Sequence, residues 1–431
     1  RVVNIALQAR AGDQALMAAR AWAETLPESV DAHQSVVQLL ALLNKPAEVP
    51  GPLSTLLSVA PDVQRPGLIA SLPRLFQRSP DPQAVLAALA PVLQAQTGAL
   101  KPAALYAEAR LALKAGDHAR ALVLTRELAS ALPDGDDAMQ LAVDLLPTEP
   151  EAESLITVRL QQKPDQHALR QAYGRALIQA QRPAEAAREF RILTEATPDN
   201  PAPWIALGAI ELELKHTSAA ETALREGLKR LDTPAAGTDA EIHARAEGRQ
   251  QAWLMLSQAA EQRGDLKAAE AALKKVDGNG IEVRYRRASL LARQNKLADA
   301  RKLLQPAADA SDADARAALL AEAQLLREQR DFAASLAVLK KATERFPDDA
   351  DLLYEQAMMA EKIGRFEDME TLLRRVMELK PDYHHAYNAL GYSFADRNVR
   401  LPEAKELIER ALKLAPGEPV IVDSLGWAAF R

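Results

Sequence analysis

Cysteine is absent from these 431 residues, which rules out thiol catalysis, disulfides and thiolate-held metals within the chain. Seven histidines and 59 carboxylates remain as candidates for acid–base or metal chemistry. His384 and His385 are adjacent, so on a helix their rings point about 100° apart and do not readily share an ion. There is no His-Glu-x-x-His, no phosphate-binding glycine loop and no Gly-x-Ser-x-Gly elbow. Gly278-Asn279-Gly280 reads as a turn, and Glu211 and Glu213 as a chance pair in an acid-rich chain. Arg284, Arg286 and Arg287 form the densest basic run and read as a solvated helix face. The net charge of −6, from 53 basic and 59 acidic residues, argues against a nucleic-acid or anionic-membrane surface. The chain reads as no enzyme, with no cofactor and no metal.

A different kind of chemistry is better represented: side chains suited to holding another polypeptide. Tyr354 and Met358 are four apart; His385, Asn388 and Tyr392 are three and four apart; Asp423 and Trp427 are four apart. Helical spacing places each set on one stripe. Together they predict a partner-binding groove of aromatic and thioether surface edged by amide and carboxylate groups. Such a surface suits an apolar peptide or helix, because aromatics bury area at small entropic cost.

The elements that would carry these residues recur. Gly174 and Gly208 are 34 apart, as are Ala186 and Ala220, and Pro347 and Pro381. A fixed period of that length marks stacked helical hairpins, each burying its apolar side against its neighbours. One unit shows the frame clearly: Trp204, Leu207 and Gly208 on a first helix, then Ala220, Leu224 and Gly227 on a second. Gly208 and Ala220 fall where the two helices approach most closely. Gly12-Asp13, Gly116-Asp117 and Gly264-Asp265 predict turns, with glycine in the left-handed C-terminal cap and Asp capping the next helix. Prolines 133, 164, 198, 347, 381 and 416 mark the turns between units. Aromatics make up only 4% of the chain, so the core must be mostly Ala and Leu.

The expected organisation is degenerate helical repeats in 1–165, regular units in 166–232, a long loop over 233–248, with an extended helix there as the alternative, and further units in 249–431 with the last truncated. Residues 44–102 carry many prolines and short helical patterns; residues 135–165 keep a second-helix pattern and lose the first. Arg287 would occupy an apolar slot, which suggests a slip of frame there. No run of about 18 apolar residues is present to span a membrane. The chain opens on Arg1-Val2-Val3 inside a helical pattern and stops at Phe430-Arg431 in another, so both ends read as cut.

These residues resemble the tetratricopeptide repeat, at Trp204–Leu207–Gly208–Ala220–Leu224 and at Tyr387–Leu390–Gly391–Phe394–Ala404–Ala411–Pro416. The resemblance implies an all-α, right-handed superhelical solenoid of stacked helix-turn-helix units, whose first helices line the concave face. Tyr387-Asn388-Ala389-Leu390-Gly391-Tyr392-Ser393, with Asp423-Ser424-Leu425-Gly426-Trp427, is also similar to the C-terminal part of a family of bacterial outer-membrane repeat lipoproteins. Ala19-Arg20-Ala21-Trp22 and Leu26-Pro27 add to that likeness. The family includes adaptors that bind a periplasmic carboxyl-terminal processing protease and deliver cell-wall hydrolases to it. The likeness implies a non-catalytic scaffold at the periplasmic face of the outer membrane, held by an N-terminal lipidated Cys that this chain lacks. A cytoplasmic peptide-binding or co-chaperone-like module is the alternative. Against it, no Lys/Arg/Asn clamp appears among Gln171, Arg175, Ile178, Ile205, Ala209 and Leu212. A repeat domain attached to an enzyme remains a third reading.

Overall fold

The computed structural model describes residue 3 and residues 11–233, 237–278 and 280–431. Arg1, Val2, residues 234–236 and Asn279, on which some of the expectations above fall, lie outside the described residues. The chain is 78% helical, with 24 helices and no strand among the described residues. It divides into two compact units, 1–242 and 243–431, each with its own core.

The first unit holds α1 (Gly12–Thr25), α2 (Val30–Leu42), α3 (Pro50–Val59), α4 (Arg65–Leu75), α5 (Pro82–Gln94), α6 (Lys101–Lys114), α7 (His118–Ala131), α8 (Asp137–Leu145), α9 (Glu153–Gln162), α10 (His167–Gln179), α11 (Pro183–Ala196), α12 (Pro201–Glu213) and α13 (Thr217–Asp232). Next comes α14 (Asp239–Gln262), within which the division falls. The second unit continues with α15 (Leu266–Leu273), α16 (Ile281–Arg293), α17 (Leu297–Leu304), α18 (Asp312–Glu328), α19 (Phe332–Arg345), α20 (Ala350–Lys362), α21 (Phe366–Leu379), α22 (His384–Asp396), α23 (Leu401–Leu414) and α24 (Pro419–Phe430).

Small residues set the hairpin geometry. Gly174 and Ala186, Gly208 and Ala220, Ser257 and Ala269, Ala288 and Ala300, and Ala323 and Ser335 are each twelve apart and buried. A Cβ on Gly208 would lie 2.5 Å from Leu224, and one on Gly391 would lie 2.7 Å from both the Ala404 carbonyl and Ile408. Close approach there lets Phe190, Leu224 and Ile408 reach full burial in the seam. Each such side chain, fully buried, is worth about 2 kcal/mol of apolar transfer.

The turns follow from backbone chemistry. Gly116, Gly264 and Gly364 take positive φ, while Asp117 and Asp265 accept the backbone N–H of Arg120 and Ala268. Gln181, Lys215, Asn295 and Arg330 adopt the same left-handed conformation without being glycine. Gly12 differs from expectation. It is the first residue of α1, without positive φ, and it faces Leu43.

Three further expectations are corrected. The loop over 233–248 is shorter, because Asp239–Glu247 is a run of helix formers opened by a capping box. Thr238 N–H donates to Glu241 Oε2 at 2.8 Å, and Glu241 N–H donates to Thr238 Oγ1 at 3.3 Å. Within 135–165 the first helix is present as α8. It is only nine residues long: Leu146 keeps helical angles, and Pro147 then has no N–H to continue the ladder. The frame does not slip at Arg287: Ala288 takes the small-residue position opposite Ala300, and Arg287 Nη2 reaches the Leu273 carbonyl at 3.1 Å. Arg284, Arg286 and Arg287 are accordingly half-buried rather than a solvated face.

Candidate partner-binding face

Capping fixes where α20 begins. Asp349 accepts the N–H groups of Asp351 and Leu352, both at 3.1 Å. Arg316 of α18 grips the same carboxylate through Nε and Nη2, and this holds the Asp349 carboxyl below the usual range. With that start set, Tyr354 and Met358 fall one turn apart on α20, half-buried against the core of the second unit. On α22, His385 and Tyr392 are exposed and Asn388 is half-buried. On α24, Asp423 is exposed and Trp427 is half-buried.

Most of the seven expected residues fall into two clusters. Tyr354 lies with its ring centroid 6.3 Å from His385 and 5.5 Å from Tyr383. Tyr383 and His385 are 5.9 Å apart, edge to face, and the adjacent His384 and His385 rings lie tilted with centroids 4.0 Å apart. Partial desolvation, followed by the neighbouring His384, lowers the pKa of His385 below its ordinary value. Burial also pushes the Tyr383 hydroxyl up to about 12. Lys380 Nζ sits 5.4 Å from the Tyr383 ring and pairs with Asp351 at 3.2 Å.

The second cluster is Tyr392, Asp423 and Trp427, which with Val422 and Gly426 line a cavity of about 420 Å³. Trp427 packs against the unit's core, lies against Phe430 at 5.6 Å and under the Arg431 guanidinium at 5.5 Å, and its Nε1 has no acceptor among the described residues. Met358 joins neither cluster and packs against the core. Asn388 is set apart by a buried Oδ1 that has no hydrogen-bond donor.

The sequence reading did not find Tyr383 or the cavity it borders. That cavity, about 310 Å³, is lined by Arg316, Leu320, Gln324, Arg327, Asp351 and Glu355 among others. A signal was present. Counting back one 34-residue period from Tyr354, Met358 and Glu361 gives Leu320, Gln324 and Arg327, all of which line it. The acids there are matched: Arg327 meets Glu355 at 2.8 Å, and Asp351 meets both Lys380 and Arg316. Outside this cavity, near the end of α20, burial raises the Glu361 carboxyl above its ordinary value. Among the described residues, no group of three or more His, Asp or Glu is placed to hold a metal. No helix described is long and apolar enough to cross a membrane.

Tetratricopeptide-repeat family models match residues 167–210, 250–278, 320–368 and 364–419. Those segments are tetratricopeptide repeats, and they include Tyr354, Met358, His385, Asn388 and Tyr392. A TPR repeat-containing protein of Pseudomonas aeruginosa, PA4667, is 33% identical over 174 residues, or 40% of this chain. The match spans 30% of that relative's length. Among solved structures, a chain of the APC/C hetero-tetramer Cut9-Hcn1 aligns over 99% of this chain and 95% of its own, at 11% identity and a TM-score of 0.31. MamA 41-end from Desulfovibrio magneticus RS-1 aligns over 40% of this chain and 97% of its own, at 17% identity and a TM-score of 0.28.

Proposed function

We propose that this chain is a non-catalytic docking scaffold whose first-helix face, from α20 through α22 to α24, holds a partner polypeptide. Following the resemblance read in the sequence, it works at the periplasmic face of the outer membrane as a tethered adaptor. There it brings a carboxyl-terminal processing protease together with cell-wall hydrolases. The observation that carries the docking reading is a set of polar and aromatic groups with no internal use. Tyr392 is 39% exposed, and among the described residues Asp423 has no ion partner and Asn388 Oδ1 no donor. On other first helices, Glu211 is met by Arg191 and Glu322 by Arg301.

The mechanism is pre-organisation. Stacked hairpins hold the contact groups in place before binding, so little ordering entropy is lost on association. A membrane tether would raise the effective concentration of both guests. Affinity recovery from Gram-negative envelope extract, read by mass spectrometry, tests the reading. A carboxyl-terminal processing protease or a wall hydrolase is expected in the recovered fraction. Recovery of neither, with the protein folded and abundant, would overturn the adaptor assignment.

A further inference from the structure

We propose that the groove between α4 and α6, in the first unit, receives an acidic side chain, glutamate or aspartate, from within a partner polypeptide. The inference goes beyond the docking reading above and does not rest on it. Charge is its first support. The groove, about 850 Å³, is lined by Arg74, Arg110 and Lys114 and by a single carboxylate, Asp144, in a chain whose net charge is −6. Arg110 takes that carboxylate. Lys114 Nζ donates to the Phe76 carbonyl at 2.9 Å and to that of Gln77, just past the end of α4. Its charge thus meets only neutral acceptors, and the third of its N–H groups is left over. Arg74, exposed in the last turn of α4, has no hydrogen bond or ion pair among the described residues. Two positive charges in excess therefore face one groove, and a carboxylate entering it gains charge-assisted hydrogen bonds.

Shape is the second support. Gly67, Ala70, Ser71 and Arg74 fall on one face of α4, so three small residues leave room ahead of one cation. A Cβ on Gly67 would meet nothing within 4 Å. Across the groove, Tyr106, Arg110 and Lys114 stand four apart on α6. The Tyr106 hydroxyl and the Gln77 side-chain amide make no hydrogen bond among the described residues, and both are donors. The third support is that the walls are complete. α4 packs against both α2 and α6, and α8 against both α6 and α10. The groove is therefore a feature of the stacked hairpins, with a neighbour in place on each side.

The test uses alanine peptides of equal length with blocked ends and a central Leu-Glu-Glu-Leu or Leu-Gln-Gln-Leu, which share a shape and differ in charge. A third, Leu-Gln-Gln-Leu with a free C-terminal carboxylate, carries its charge at the chain end instead. Fluorescence anisotropy at low salt is read on the full chain and on Arg74→Gln, Gly67→Leu and Arg188→Gln. The glutamate peptide should bind about tenfold tighter than the blocked glutamine peptide, and the gap should close as salt is raised. Arg74→Gln should remove most of that preference at an unchanged melting temperature, and Gly67→Leu should weaken the glutamate peptide. Arg188→Gln, which removes an exposed cation from the second helix α11, should leave the preference intact. Equal binding of the two blocked peptides, failure of all three to bind, or a preference untouched by Arg74→Gln would overturn the acidic-side-chain groove. So would an equal loss in Arg188→Gln, which would trace the preference to overall charge. Tighter binding of the free-ended peptide than of the glutamate peptide would overturn it too, by assigning the groove to a chain terminus. Tyr392→Ala should leave the preference intact; its loss there would place the peptide on the α20–α24 face and remove this groove. If envelope recovery finds no partner while the glutamate preference holds, the adaptor reading fails and the groove stands.

Discussion

At the scale of single residues, Gly208 and Gly391 are small because a paired helix is in contact with them. Gly391→Ala should therefore cost about 1–3 kcal/mol, because the new methyl meets the Ala404 carbonyl and Ile408 and the seam must shift. Gly426→Ala should be neutral or stabilising by about 0.5–1 kcal/mol, through lower backbone entropy in the unfolded chain. Urea denaturation of the two variants beside the parent separates them. Equal destabilisation would mean that Gly426 is packed as tightly as Gly391. A second residue-scale expectation concerns Asp349. Arg316 holds its carboxyl below the usual range, so the folded form binds a proton less readily than the unfolded one. The stability it contributes is full above the unfolded pKa of about 4 and is lost as pH falls through the lower folded value. Melting temperature should fall as the medium is acidified below about pH 4, and less steeply in Asp349→Asn. An asparagine still caps α20, so that variant isolates the ion pair from the cap. An unchanged acid slope would assign the acid sensitivity to other carboxylates.

At the scale of elements, the hairpins were legible wherever small residues recur at the period, as at Gly174, Gly208 and Gly391. Close approach of two helices forbids bulk, and that constraint is written directly into residue type. The turns were legible only in part. Gly116 and Gly264 announced their left-handed caps, but Gln181, Lys215, Asn295 and Arg330 fill the same role with side chains that disguise it. The start of α14 was misread because the excess over one period looked like loop, although Thr238 and Glu241 stand at capping-box spacing. Glu241→Ala should speed amide exchange over Asp239–Arg245 and leave α16 to α24 unaffected, read by hydrogen-exchange mass spectrometry. Equal exchange in that segment would show that the box does not hold the helix start. The candidate face was legible residue by residue on helical stripes, since Tyr392, Asp423 and Trp427 do meet around one cavity. Tyr383 was not, because it precedes the first residue of α22 and so stands off the stripe.

At the scale of the whole molecule, each of the two units supplies its own core. In the second unit, successive first helices leave aromatic and carboxylate groups unused by the fold. The central claim is that this face docks a polypeptide. His385→Ala, Tyr392→Ala and Asp423→Ala combined replace exposed side chains, so the fold should change by no more than about 0.5 kcal/mol per site. A matched control, Lys405→Ala, Glu406→Ala and Lys413→Ala, alters exposed positions of the second helix α23. The decisive measurement is the amount of partner recovered from envelope extract by the two triple variants at equal melting temperature. The account predicts at least about a tenfold loss for the first-helix variant and full recovery for the α23 variant. Equal recovery by both, or loss confined to the α23 variant, would contradict it.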